Sequence, residues 1–239
     1  YLMDLRVPYL NFKCILLGCF IALFGLNSCT ESEHIDLRKG DHIVLIGNNL
    51  GARMINYGYF ETAVHLHFSD SLITIRNMCD GGDTPGFRPH SGRNSPWAFP
   101  GADKFQKDLA QKSGSEGHFA TPDEWLQQLK SDVIIAFFGF NESFEGEEGL
   151  SRYLEELRAF VLHTKEQSYN GKTTPKLVLV SPIAFQDLSN QFDLPNGKEE
   201  NSRLERYSEG MKKIAQEEQV MFVDVFHPST EWFANQILT

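Results

Sequence analysis

The residues of this chain that could do chemistry stand in short clusters. Gly47-Asn48-Asn49 follows one apolar run; Asn77, then Gly81, Gly82 and Asp83, follow a second. Gly139, Asn141 and Glu142 follow a third, Ser181 a fourth, and Asp224 and His227 a fifth. Glycine admits close backbone approach, and asparagine donates hydrogen bonds without adding charge. An N–H of the first turn, the Gly82 N–H and the Asn141 side-chain amide therefore suit the cradle that stabilises a developing oxyanion in acyl transfer. Asp224-x-x-His227 supplies an acid and a base at close spacing, and His227 is the one well-placed base of the sequence as it stands. The clusters lack a nucleophile. Asn49 has no ionisable hydroxyl, and nothing in the sequence puts Ser143 or Ser181 on the first turn. Singly, Gly82 reads as an ordinary turn glycine and Asn141 as an ordinary loop residue. Their order, each after its own apolar run, gives them meaning.

Those runs are the elements that must position the clusters. "HIVLIG" (42–47), "LITIRN" (72–77), "DVIIAFFGF" (132–140), "KLVLVSPIA" (176–184) and "VMFVDVF" (220–226) are near-continuous Val, Ile, Leu and Phe. Runs without alternation fit strands buried on both faces, as in a parallel sheet. Amphipathic segments lie between them: "ARMINYGYFETAVHLHF", "TPDEWLQQLK", "GLSRYLEELRAFVLHTKEQ" and "NSRLERYSEGMKKIAQEE". In the second, Thr121, Pro122 and Glu124 form a helix-start signature with a capping box. The alternation predicts a three-layer α/β/α domain over residues 40–239 with a central parallel sheet of about five strands. In such a sheet ligands bind beyond the carboxyl ends of the strands, where the clusters stand. Gly81 to Lys104, rich in Gly, Pro, Ser and Asp, reads as a long loop of the kind that usually carries function.

This layout resembles the SGNH (GDSL-type) hydrolase family from about residue 40 onward. The family's Gly-Asp-Ser-Leu block is matched by Gly47-Asn48-Asn49-Leu50, with Asn49 where the serine belongs. Its Asn-plus-glycine block is similar to "RNMCDGGDT", and its Gly-x-Asn-Asp block to Gly139-Phe140-Asn141-Glu142. "FFGFNESF", "YNGK" (169–172) and "LVLVSPIAFQDL" (177–188) resemble a bacterial subgroup of such domains. The resemblance implies Asn49, Gly82, Asn141 and His227 as site residues and activity on ester bonds, such as acetyl groups on glycans. It equally admits a non-catalytic ligand- or carbohydrate-binding module that keeps the fold. The family's histidine usually sits in a loop some residues after the last strand, so the functional histidine is expected beyond Thr239, with His227 a strand-end neighbour. An Asn at the first turn retains the means to bond a sugar hydroxyl or carbonyl, or to orient a water.

Composition narrows the partners. A formal charge of −10 on 239 residues, with no basic cluster among aromatics, argues against a nucleic-acid partner. Arg6 and Lys13 precede "CILLGCFIALFGL", which is shorter than the ~20 residues of a spanning helix, and the run ends in Leu26-Asn27-Ser28-Cys29. That order resembles the lipobox of a bacterial lipoprotein. The expectation is a signal peptide over 1–28, a lipidated Cys29 anchoring an exported protein to the membrane, and a polar tether over 29–39. The blander reading is a cleaved secretory peptide. Cys14 and Cys19 would leave with the signal, so Cys79 has no partner for a disulfide. The sequence opens at Tyr1 with Met3 as a candidate start, and further domains beyond Thr239 fit the same picture. "GNNLGAR" lacks the glycine spacing of dinucleotide sites, and no metal-ligand spacing occurs, so no cofactor is expected. His65 and His67 read as exposed helix residues. Glu145, Glu147 and Glu148 read as a solvated helix start.

Overall fold

The computed structural model describes residues 35–113 and 117–235; the expected signal peptide, Cys29 and the end of the chain lie outside them. Five strands form one sheet: β1 (His42–Gly47), β2 (Thr74–Asn77), β3 (Val133–Phe137), β4 (Lys176–Val180) and β5 (Met221–Val223). All four pairings are parallel, and the order is β2-β1-β3-β4-β5. The sheet is the predicted one, with shorter strands. The fourth run stops before Pro182, which has no N–H for a ladder, and the third before Gly139, whose φ of +98° leaves the strand region.

Strand side chains alternate between two apolar layers, as the period of two requires. Val44, Ile46, Ile134, Ala136, Leu177 and Leu179 enter the larger cluster, with Tyr153, Leu157, Phe160, Tyr207 and Met211. Those partners come from two long helices, α5 (Gly146–Glu166) and α6 (Lys198–Glu218). Ile43, Leu45, Val133, Phe137, Val178 and Val180 enter the second cluster, where Leu50, Met54, Phe60 and Val64 cover them. These four belong to α1 (Asn49–Arg53), the 3₁₀ turn Met54–Asn56 and α2 (Tyr59–His67). One helix was expected over that stretch. The chain breaks between Asn56 and Tyr59, where Tyr57 turns extended (φ −137°, ψ 106°) and Gly58 begins a new helix. Ile35 and Leu37, near the end of the expected tether, pack on the same cluster.

The remaining helices are α3 (Lys107–Ala110), α4 (Pro122–Gln128) and α7 (Phe226–Ala234). Thr121 caps α4 by accepting from the Glu124 N–H, and the Glu124 carboxylate accepts from the Thr121 N–H. Glu147 and Glu148 occupy the first turn of α5, and Glu145 and Glu147 pair with Arg152 and Arg206. This is the solvated helix start read from the sequence.

The long loop after β2 departs from expectation. Only its first residues reach the strand ends. The rest fills the larger core with Ala98, Phe99 and Ala102. The buried Glu156 of α5 fixes it by accepting from Thr84 Oγ1 (3.1 Å), Gly86 N–H (3.1 Å) and Gln106 Nε2 (3.3 Å). Arg88, 2% exposed, lies over the rings of Phe138 (5.8 Å) and Phe160 (5.5 Å). The loop is long because it substitutes for a packing layer.

Gly47 is the tightest point of the sheet edge. Its φ is +117°, and a Cβ there would stand 2.1 Å from the Phe137 carbonyl oxygen. Gly47→Ala is expected to destabilise by about 2–4 kcal/mol in urea unfolding, through strain plus a backbone clash. A loss under about 0.5 kcal/mol would show that the edge relaxes freely.

Candidate functional site

At the carboxyl edge of the sheet the Asn48 N–H donates to the Phe137 carbonyl (2.8 Å), carrying β1 directly into α1. Asn49 Nδ2 donates to Asn141 Oδ1 (3.3 Å). Asn141 Nδ2 in turn donates to the carbonyls of Gly81 (2.7 Å) and Asp83 (3.4 Å). Those two carbonyls fix the orientation of the Asn141 amide, since only its NH₂ can serve them. Gly81 closes the ring: a Cβ on it would lie 3.1 Å from Asn49 Oδ1. The turns after β1, β2 and β3 therefore meet at Asn49, Gly81 and Asn141, with Gly82 exposed beside them. Gly81 and Gly82 are both exposed, and no acceptor is recorded for either N–H among the described residues.

The sequence points to Asn141 as a donor to an oxyanion. In the structure its amide protons hold the Gly81–Asp83 loop, and Asn49 Nδ2 has a second N–H beyond the one given to Asn141. Asn77 works on the opposite side. Its amide donates to the Gly51 carbonyl (2.8 Å) and accepts from the Cys79 N–H (2.9 Å), tying the β2 turn to α1.

Ser143 and Ser181 are both internal. Ser143 Oγ donates to the Phe140 carbonyl (2.7 Å). Ser181, 0% exposed, accepts from the N–H groups of Val225 (2.9 Å) and Phe226 (3.0 Å) and donates to the Pro182 carbonyl (3.2 Å). These hydroxyls brace turns, and neither faces Asn49.

His227 opens α7 beyond β5. Its Nδ1 lies 2.6 Å from Asp224 Oδ2, and its side chain is 55% exposed. Burial pushes the Asp224 carboxyl up, but bonds from the His227 ring and the N–H groups of His227 and Phe226 outweigh this and hold it below its usual value. β3 and β4 separate β5 from β1, so the strand ends that carry His227 and Asn49 stand roughly 14 Å apart at the usual strand spacing. No contact between the two side chains is recorded among the described residues.

Two acids of the strand-end clusters lie buried under the site, a burial that the sequence does not show. Glu142, 7% exposed, accepts at Oε2 from the Gly139 N–H (2.9 Å) and Asn48 Nδ2 (3.2 Å). Burial raises its pKa from 4.5 to about 8, partly opposed by those bonds. Burial also lifts Asp83 from 3.8 to about 7, against the pull of Arg88 and Arg93. The signal for Glu142 was its place three residues after Gly139; nothing local marks Asp83.

Comparison with known proteins adds the fold context. No family model matches the sequence, and no curated protein does. Solved structures do match. One is a catalytic mutant of an acetylxylan esterase from Geobacillus stearothermophilus, with TM-score 0.54 and 15% identity over 86% of this chain and 84% of that one. Another is a gut microbial diltiazem-metabolizing enzyme, with TM-score 0.55 and 17% identity over 84% of this chain and 40% of its own. The fold is that of the SGNH hydrolases. A protein from Parabacteroides merdae described as a GDSL-like lipase matches at TM-score 0.50 and 16% identity, over 80% of each chain. The chain spans well under half of the diltiazem-metabolizing protein.

The raised pKa values fix a pH dependence. Between about pH 4.5 and 8 the folded state keeps a proton on Glu142 that the unfolded state has released. Stability is therefore full below that window and lost as pH rises through it, by up to about 1.4 kcal/mol per pH unit for each such group. Urea unfolding should show stability falling from pH 5 to 8, with a shallower slope in Glu142→Gln. A rise across that range would contradict this assignment.

Proposed function

We propose that this SGNH-fold domain recognises ester-bearing groups, of the acetylated-glycan class, at the Asn49–Asn141 edge, and that it does so without forming a serine acyl-enzyme. The observation that carries the reading is Asn49 itself: it stands on the turn after β1, bonded to Asn141, while the two serines nearest the edge are bonded inward. Open N–H groups at Gly81 and Gly82 suit a carbonyl oxygen, and their contribution does not depend on a nucleophile. The acetylxylan esterase among the similar structures supports an acetylated-glycan ligand, and the GDSL-like lipase supports an ester in general.

A second reading rests on the Asp224–His227 pair. Solved forms of the esterase include catalytic mutants altered at a serine, an aspartate and a histidine, the last two three positions apart. Asp224 and His227 have the same spacing, and a histidine held by an acid suits direct activation of water. Aryl-ester turnover and phosphonate labelling distinguish the readings. Under the proposal the native protein hydrolyses near background and takes no label, Asn49→Ser gains both, and Asn141→Ala weakens binding of an acetylated oligosaccharide. Robust native turnover abolished by His227→Ala would replace the proposal with the water mechanism. Turnover abolished by Ser143→Ala or Ser181→Ala would overturn both.

The N-terminal "LNSC" pattern supports an exported, lipid-anchored protein of the bacterial cell envelope, with Cys29 as the acylated residue. Expression with labelled fatty acid in a bacterial host should label the native protein and leave Cys29→Ser unlabelled. Label retained by Cys29→Ser would reject this site.

A further inference from the structure

Glu142 has a place in the site that neither the fold nor the ester reading assigns. Its Oε2 is the common acceptor for the Asn48 side chain, on the turn after β1, and the Gly139 backbone, on the turn after β3. These two turns carry Asn49 and Asn141. Asn48 is itself 1% exposed, so its amide has no solvent to fall back on. Asn48 and Glu142 therefore meet as donor and acceptor across the two turns.

We infer that Glu142 is a positioning residue: its buried carboxyl clamps the β1 and β3 turns together and so sets the placement of Asn49 against Asn141 for an acyl ligand. The role of the clamp in ligand placement rests on the ester reading above; the clamp itself does not. The other carboxyl oxygen, Oε1, is buried with no partner, as is the Tyr153 hydroxyl. The carboxyl bonds the Gly139 N–H through Oε2, and a Cβ on Gly139 would stand 3.1 Å from the Tyr153 hydroxyl. A proton on Oε1 leaves Oε2 free to keep both clamp bonds, while its loss buries a full charge that the two donor bonds only partly offset. The titratable groups packed toward Glu142 are Tyr153 and Glu156 from α5 and Tyr207 from α6, all neutral or acidic, so none compensates that charge.

Two independent measurements test this. In the ¹⁵N-labelled native protein, the Asn48 side-chain NH₂ and the Gly139 amide should shift together between pH 5 and 9 with one midpoint near 8. Both should be pH-independent in Glu142→Gln, which keeps the acceptor and removes the ionisation. Resonances that stay fixed in the native protein, or still titrate together in Glu142→Gln, overturn the clamp. The second measurement uses p-nitrophenyl acetate turnover in the Asn49→Ser background. There Asn48→Asp, which turns the donor into an acceptor, should lower kcat/KM by about tenfold, the equivalent of one lost hydrogen bond. Glu142→Gln should keep turnover and flatten the pH profile between 6 and 9, and Asn48→Asp should add no further loss in a Glu142→Leu background. Turnover unchanged by Asn48→Asp overturns the positioning role. Absence of any turnover in Asn49→Ser overturns the ester reading alone, and the amide titration still decides the clamp.

Discussion

The candidate site depends on how closely β1 approaches β3 at the carboxyl edge of the sheet. Gly47 passes so near Phe137 that there is no room for a Cβ, and the next N–H, from Asn48, bonds the Phe137 carbonyl. That contact ends the β1–β3 ladder and starts α1 in one step, which puts Asn49 on a turn rather than deep in the sheet. Gly139 makes the matching departure on β3 with φ +98°, turning Asn141 back toward Asn49. A side chain at Gly47 would separate the two turns, and every later bond of the site would lengthen with them.

Around that contact the polar groups are arranged to avoid buried charge. Glu142 and Asp83 both sit where burial favours the neutral acid. Asn48, Asn49, Asn77 and Asn141 are neutral and can each donate and accept, so the three turns are joined by amides rather than ion pairs. Amide bonds hold geometry with little desolvation penalty compared with buried ions. The Arg88 guanidinium is the exception, and two phenylalanine rings and the nearby Asp83 accommodate it.

Much of this was legible in the sequence, for identifiable reasons. Buried parallel strands leave continuous apolar runs, and the five runs gave the sheet; its order followed from no local feature. Asn49, Gly82 and Asn141 were singled out because each follows a strand. The loop after β2 reads as a binding loop from its glycines, prolines and serines; its first residues do reach the site, and Glu156, a helix residue 50 or more positions away, holds the rest against the core. The sequence put neither Ser143 nor Ser181 on the first turn, and it could not show the turns that their hydroxyls brace. Glu142 stood in the third cluster without a role, because a lone acid after an asparagine shows neither its burial nor the donors that converge on it.

The exchange of hydroxyl for amide at position 49 is more than a deletion. A serine at that turn would have one proton to give and would need a base to take it. The amide of Asn49 gives one proton to Asn141 and keeps a second N–H and an oxygen, so it completes the bond ring of the three turns without calling on a base. His227, three strands away, is therefore not required for the integrity of the Asn49 turn. A site closed in this way can persist as a rigid set of donors whatever becomes of the acid–base pair. The physical coupling that a serine nucleophile would impose between the two ends of the sheet is absent, and the β1–β3 edge stands as a unit of its own.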